Sequence, residues 1–253
     1  MMARRRARIA TLEVFGTIGG AVQPSTYVPL IDAVRRSRRV RGLLLDIDSP
    51  GGAAAASAEL HAAVRRFAET KPVVAYIRGT GASGAYYIAT AANRIVAMPD
   101  AFVGSIGVIA VRPIVAELLR RIGVEVAVQK SGRLKDMLQP WRAPTPEEEE
   151  KLQALLDEVY EGFVGAVARG RGMGEEQVRE LATGEVFTAR RAAGLGLVDQ
   201  LGDMETALDV ASELAGVPRR APIQIRPRRP FLRRVLAGPN EDLAARLADE
   251  VES

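Results

Sequence analysis

Two stretches decide the fold: LLLDIDSPGG at 43–52 and GTGASGAYYIATAANRIVA at 79–97. Each leads from an apolar, strand-like segment through glycines into a helical segment. In the first, LLLDI reads as a buried strand, and the paired glycines let backbone N–H groups point outward with no Cβ in the way. Such a turn serves either as an ordinary strand–helix connection or as an oxyanion site. In the second, VVAYI (73–77) precedes a turn in which Ser83 opens a helix among small residues that leave its hydroxyl accessible. The competing role for Ser83 is a plain helix N-cap. The motif is not a G-x-S-x-G elbow: Gly84 directly follows the serine, and no His lies downstream.

Outward from these stretches, strands and helices alternate. Ile9–Phe15, Val40–Ile47, Val73–Ile77 and Arg94–Met98 read as strands, and VEVAVQ (124–129) as strand-like. Helices are expected at 28–37, 53–70, 83–92 and 113–122. The order predicts an α/β domain with a mainly parallel sheet. Thr145-Pro146 followed by four Glu is helix-start chemistry, and apolar residues from Leu152 to Val167 recur at helical spacing. A long amphipathic helix through about Ala168 follows, ended by Gly170 and Gly172, with shorter helices near 175–182 and 203–215. No internal repeat is visible. The expected organisation is a basic tail at 1–8, one domain at 9–217, and a Pro/Arg-rich tail at 218–253. Phe231, Leu232, Val235 and Leu236 could form an amphipathic turn in that tail.

Composition narrows the chemistry. The chain of 253 residues is 47% hydrophobic, enough for a sizeable core. No apolar run reaches the ~18–20 residues that span a bilayer. The net charge of +4 conceals an uneven distribution: of 35 Lys+Arg, 11 lie in the acid-free tracts 1–8 and 218–238, leaving 24 against 31 acids. The body is acidic, which argues against a nucleic-acid-binding body; the basic ends are solvated or meet anionic lipid or RNA. With no Cys and a single His, nucleophilic catalysis would fall to Ser or Thr, and its base is expected to be something other than His. His61 lies off the Leu60–Val64–Phe67 face and is expected at the helix surface. A metal site is not expected: Asp46 and Asp48 lack a third ligand.

Lysine is scarce beside arginine (Lys71, Lys130, Lys135 and Lys151), so Lys135 in SGRLKDML stands out. Arg cannot deprotonate usefully, whereas Lys can. At the ordinary lysine pKa of about 10.4, roughly one amine in 2,500 is neutral at pH 7. Burial can lower that value by roughly 3–5 units. A solvated loop cation is the alternative.

Together these residues resemble the signal peptide peptidase A / protease IV family, serine peptidases with a Ser-Lys dyad on the Clp protease/crotonase fold of repeated β-β-α units. The resemblance runs from about Ile9 to Val217 and rests on LLLDIDSPGG, GTGASGAYYIATAANRIVA, VGSIGV (103–108), SGRLKDM (131–137) and FTARRAAGLGLVDQLG (187–202). It implies Ser83 as nucleophile, Lys135 as general base, Ser105 as the residue that orients Lys135, and the N–H groups of Gly52 and Gly84 as the oxyanion hole. It implies no cofactor. It also implies a homo-oligomeric ring or dome with sites at protomer interfaces, membrane association, and remnant signal peptides or other unfolded hydrophobic segments as substrates. The chain resembles the short, single-repeat members; many members carry an N-terminal membrane anchor and none is read in this sequence, so both a membrane-associated and a soluble cytoplasmic form are expected to be compatible with it. Two other readings stand beside this one: a crotonase-type acyl-CoA enzyme on the same fold, and a non-catalytic membrane-associated assembly protein.

Overall fold

The computed structural model describes residues 8–227. The basic residues Arg4–Arg6 and the amphipathic turn expected at Phe231–Leu236 lie outside this range. Its centre is a sheet built on three long parallel strands: β1 (Arg8–Phe15), β2 (Val40–Ser49) and β3 (Val73–Ala82). Leu43, Leu44, Leu45 and Ile47 are all buried, which is why this strand reads as apolar on both faces apart from Asp46. Helix α1 (Pro24–Arg36) connects β1 to β2, and α2 (Ala54–Ala68) connects β2 to β3. Leu60, Val64 and Phe67 seat α2 in the core. The strands point the same way, so Gly51–Gly52 and Ser83 emerge at one shared end of the sheet.

Strand β3 forks. Val74–Ile77 pair with β4 (Arg94–Ala97), whereas Thr80–Ala82 pair with β5 (Phe102–Gly104). Two extra residues accumulate on β3 against β2 between these halves: Ile47 faces Ile77, but Ser49 faces Gly81. The irregularity is held by the acids of LLLDIDSPGG. Buried Asp46 takes a bidentate pair from Arg78 (2.6 and 3.2 Å), and Asp48 Oδ1 accepts the Thr80 N–H at 2.9 Å. Helix α3 (Gly84–Ala89) follows β3 directly. Its Tyr86 is fully buried and donates its hydroxyl to Leu197 O at 2.8 Å. That bond ties the serine-bearing helix to the GLGLVDQLG segment.

The C-terminal half begins at α5 (Pro146–Arg171), which starts with a complete capping box between Thr145 and Glu148. Gly172 ends it in the left-handed conformation; Gly170 stays inside, because α5 passes the Thr90 carbonyl so closely that an added Cβ would overlap it. Helices α6 (Glu175–Leu181) and α8 (Met204–Ala215) form as expected. The sequence reading passed over β6 (Val186–Thr188), α7 (Ala189–Gly194) and β7 (Gln200–Leu201), elements too short to show a period. It also ended the domain early: Ile223–Ile225 form β8, paired in parallel with β1. Among the described residues, six of the seven strand pairings are parallel, and only β5–β6 is antiparallel. This is a mixed α/β, Clp protease/crotonase-like fold with a long helix in its second half.

The strand expected at VEVAVQ does not form. Strand β5, from which the chain departs, is already paired on both sides by β3 and β6, and residues 124–129 pair with no strand of the sheet. Short helix α4 (Ala116–Arg121) buries no residue. Ile109 and Val111 are 82% and 84% exposed, and Val124, Val126 and Val128 are exposed too. The stretch from Gly107 to the start of α5 is thus an arm whose apolar side chains face outward.

Candidate active site

Ser83 sits at the junction of β3 and α3 with φ 51° and ψ −125°. Among the described residues only Ser83 and Ser105 combine a side chain with positive φ. Such a conformation costs on the order of 1–3 kcal/mol and persists only where the surroundings enforce it. Here the Ser83 N–H donates to Gly104 O at 2.8 Å and its carbonyl accepts from Tyr87 N at 2.9 Å. Ser105, one residue past that same Gly104, is fixed by its N–H donating to Glu185 O at 2.7 Å. The two serines therefore emerge side by side from adjacent strands β3 and β5.

Ser83 occupies the N-cap position of α3, yet its side chain makes no capping hydrogen bond. Without that bond Ser83 does not act as a plain side-chain N-cap of α3. The Gly52 and Gly84 N–H groups find no acceptor among the described residues. They lie close together: a Cβ built on Gly84 would stand 3.4 Å from Gly52 N and 3.1 Å from Ser57 Cβ, and would overlap Ser57 Oγ. A Cβ on Gly52 would overlap the Ile18 carbonyl. Only glycine fits both places. Two unpaired amides beside a strained serine meet the geometric requirement for holding a developing oxyanion.

These residues open onto a groove of about 500 Å³. The N-terminal turns of α2 (Ala54, Ala55, Ser57 and Ala58) form one wall, Val159, Gly162 and Phe163 of α5 the other, and Val108 and Ile109 a rim. Tyr87 lies at the floor, edge-on to Phe163 with ring centroids 4.9 Å apart. Sequence reading named none of the α2 and α5 contributors. The Ala-rich start of α2 was their one visible signal, since small side chains leave a cleft between packed helices.

His61 is not at the surface, as its position off the apolar face had suggested. It is buried and packs against Tyr87, ring centroids 4.6 Å apart. The correction follows from α3 and α5, which cover a second face of α2. Burial, together with the nearby Arg65 and Arg169 charges, pushes its pKa down to about 4. It stands behind the groove floor and does not line the groove. Asp46 and Asp48 serve the β3 irregularity, and no cluster of potential metal ligands occurs among the described residues.

Lys135 is the site residue that the structure leaves apart. It is exposed, lies in a turn of the arm, does not line the groove, and makes no side-chain hydrogen bond among the described residues. Next to it, Asp136 is clasped through Arg142 to Glu148 in the first turn of α5. Glu148 and Val159 are eleven residues apart on α5, about 16 Å along the axis at 1.5 Å per residue. Among the described residues no helix is long and apolar enough to cross a membrane.

Peptidase family S49 matches residues 65–218. A Synechocystis sp. protein provisionally named a protease is 38% identical over 238 residues, covering 93% of this chain and 85% of its own. The chloroplastic serine protease SPPA of Arabidopsis thaliana is 35% identical over 203 residues, and protease 4 of Salmonella typhi 38% over 207. Each of these two matches covers 80% of this chain but only 30% and 32% of the longer relative. With a strained serine, two free amides and this kinship together, the chain belongs to peptidase family S49, within the signal peptide peptidase A and protease IV group of proteases.

Proposed function

We propose that the chain is a serine endopeptidase that cleaves unfolded apolar peptides, remnant signal peptides among them, through an acyl-enzyme on Ser83. The observation that carries this reading is that Ser83 and the glycines Gly52 and Gly84, whose N–H groups find no acceptor among the described residues, line one apolar groove together. Peptide carbonyl carbon is attacked by Ser83 Oγ, whose proton passes to neutral Lys135. The oxyanion is held by the two amides, each worth about 3–4 kcal/mol in comparable sites. Lys135 returns the proton to the leaving amine, and then activates water to release the acyl group. Ser105, beside Ser83 at the end of β5, holds the amine in line.

Lys135 reaches this groove from a neighbouring copy. Three features support that assembly: the amine is exposed, its turn is tied to α5 well away from the groove wall, and the arm that carries it presents unpaired apolar residues. Burial of those residues between subunits would also dry the amine. A ring or dome of copies then presents several grooves to an extended substrate, and contact of the basic termini with an anionic membrane surface belongs to the same proposal.

The test is hydrolysis of a fluorogenic apolar peptide by Ser83→Ala, Lys135→Ala and a mixture of the two inactive variants. Loss in each variant with partial recovery in the mixture is expected, since mixed assemblies pair an intact Ser83 with an intact Lys135. Full activity of either single variant refutes the assignment. Tight binding of an acyl-CoA thioester by a protein that cuts no peptide would point to the crotonase chemistry instead.

A further inference from the structure

From Gly107 to Glu147 only one residue is buried, and it is a charged one: Asp136, the neighbour of Lys135. Apolar packing therefore does not order this part of the arm; an ionic clasp does. Arg142 Nε donates to Asp136 Oδ2 at 3.0 Å, and Nη2 to the Asp136 carbonyl at 3.3 Å. The same guanidinium donates through Nη1 to Glu148 Oε2 at 2.7 Å and through Nη2 to Oε1. Lys130 adds a hydrogen bond to Asp136 Oδ1 and one of 2.9 Å to Arg133 O, closing the turn around Lys135.

The far side of the clasp is equally fixed. Glu148 is buried, and its Oε2 also accepts the Thr145 N–H at 2.8 Å in the capping box of α5. Arg142, then Lys130, hold the Asp136 carboxyl well below the usual carboxylate range, and Arg142 with the Thr145 N–H does the same for Glu148. Both acids stay ionised across the working pH range. One planar fork serving two carboxylates is a task for Arg; a Lys supplies a single point charge.

Resting on the reading of Lys135 as the base, we propose that Arg142 is a positioning residue for catalysis. It locks the Lys135 turn onto the start of α5 and so sets where the amine stands when it enters a groove. Arg142 touches neither the substrate nor Ser83. Its effect is geometric, and displacement of a catalytic group by about 1 Å costs on the order of 100-fold in rate.

The test compares Arg142→Lys, which keeps the charge and loses the fork, with Arg142→Gln, each alone and combined with Lys135→Ala. Assembled protein is assayed for kcat, KM, the pH profile of kcat/KM and thermal unfolding. For Arg142→Lys, kcat is expected to fall by at least about tenfold, with KM and Tm unchanged and the pH profile displaced. In the Lys135→Ala background, neither Arg142 variant should lower the residual rate further. Wild-type kcat and pH profile in Arg142→Lys overturn the proposal. So does a loss that tracks Tm with the profile unmoved, or one that persists in the Lys135→Ala background. Full activity of Lys135→Ala alone is a separate result, which removes the base assignment beneath it.

Discussion

Gly84→Ala probes the oxyanion site without touching a titratable group. Gly84 is the first residue of α3 and its φ is not positive, so alanine fits the backbone. The obstacle is spatial: the new methyl would overlap Ser57 Oγ and stand 3.1 Å from Ser57 Cβ and 3.4 Å from Gly52 N. The Ser57 hydroxyl is held by a 3.0 Å bond to Ala53 O and cannot swing away freely. The methyl therefore pushes apart the two amides that share the oxyanion. Effective loss of one donor predicts a fall in kcat of about 10²–10³, equivalent to roughly 3–4 kcal/mol, with KM little changed. Steady-state kinetics on an apolar peptide substrate, with thermal unfolding as a control for folding, gives the reading. Adding Ser57→Gly removes the overlapping Oγ and the tightly placed Cβ and should recover part of kcat, although glycine in α2 costs about 1 kcal/mol of stability. Wild-type kcat in Gly84→Ala refutes the oxyanion assignment. An unchanged loss in the double variant refutes the steric account.

Other expectations concern the scaffold. The His61 pKa is depressed from 6.5 to about 4, so between those values the unfolded chain binds a proton that the folded chain refuses. Stability is then full above pH 6.5 and falls as pH drops towards 4, by about 3 kcal/mol from this residue. Denaturant unfolding at a series of pH values should show the slope, and His61→Phe should flatten it; equal slopes would contradict the buried, neutral histidine. Gly170→Ala sets a methyl against the Thr90 carbonyl, with the Thr90 carbonyl carbon only 2.9 Å away. Overpacking of this kind costs about 1–3 kcal/mol, visible as a lowered Tm, and an unchanged Tm would mean that α5 and α3 are not held at this distance.

Much of the fold was legible because its signals are local. Leu43–Leu45 and Val73–Ile77 are apolar over consecutive residues, as strands buried on both faces are. Thr145, Pro146 and Glu148 announced α5 through the chemistry of its first turn. Ser83, Gly52 and Gly84 were legible as two glycine-bearing strand ends, and the parallel sheet brings such ends together. What escaped depended on distant neighbours. VEVAVQ has the alternation of a strand, yet on its outward-facing arm it pairs with no strand of the sheet. His61 looked solvent-facing on a wheel of α2 alone, but two further helices cover it. Arg142 was invisible among many arginines, because its two carboxylate partners are defined by a turn and a helix start that meet only after folding. Lys135 was legible by type, and an exposed loop position was the alternative already open to it; that its arm turns apolar side chains outward was not legible.

Mass-spectrometric mapping of a fluorophosphonate adduct on the assembled protein tests the central claim most directly. The account predicts one adduct per chain, on Ser83, formed in step with loss of peptidase activity and absent from Lys135→Ala at the same exposure. Modification of another hydroxyl with Ser83 free, or rapid labelling of Ser83 without Lys135, would contradict it.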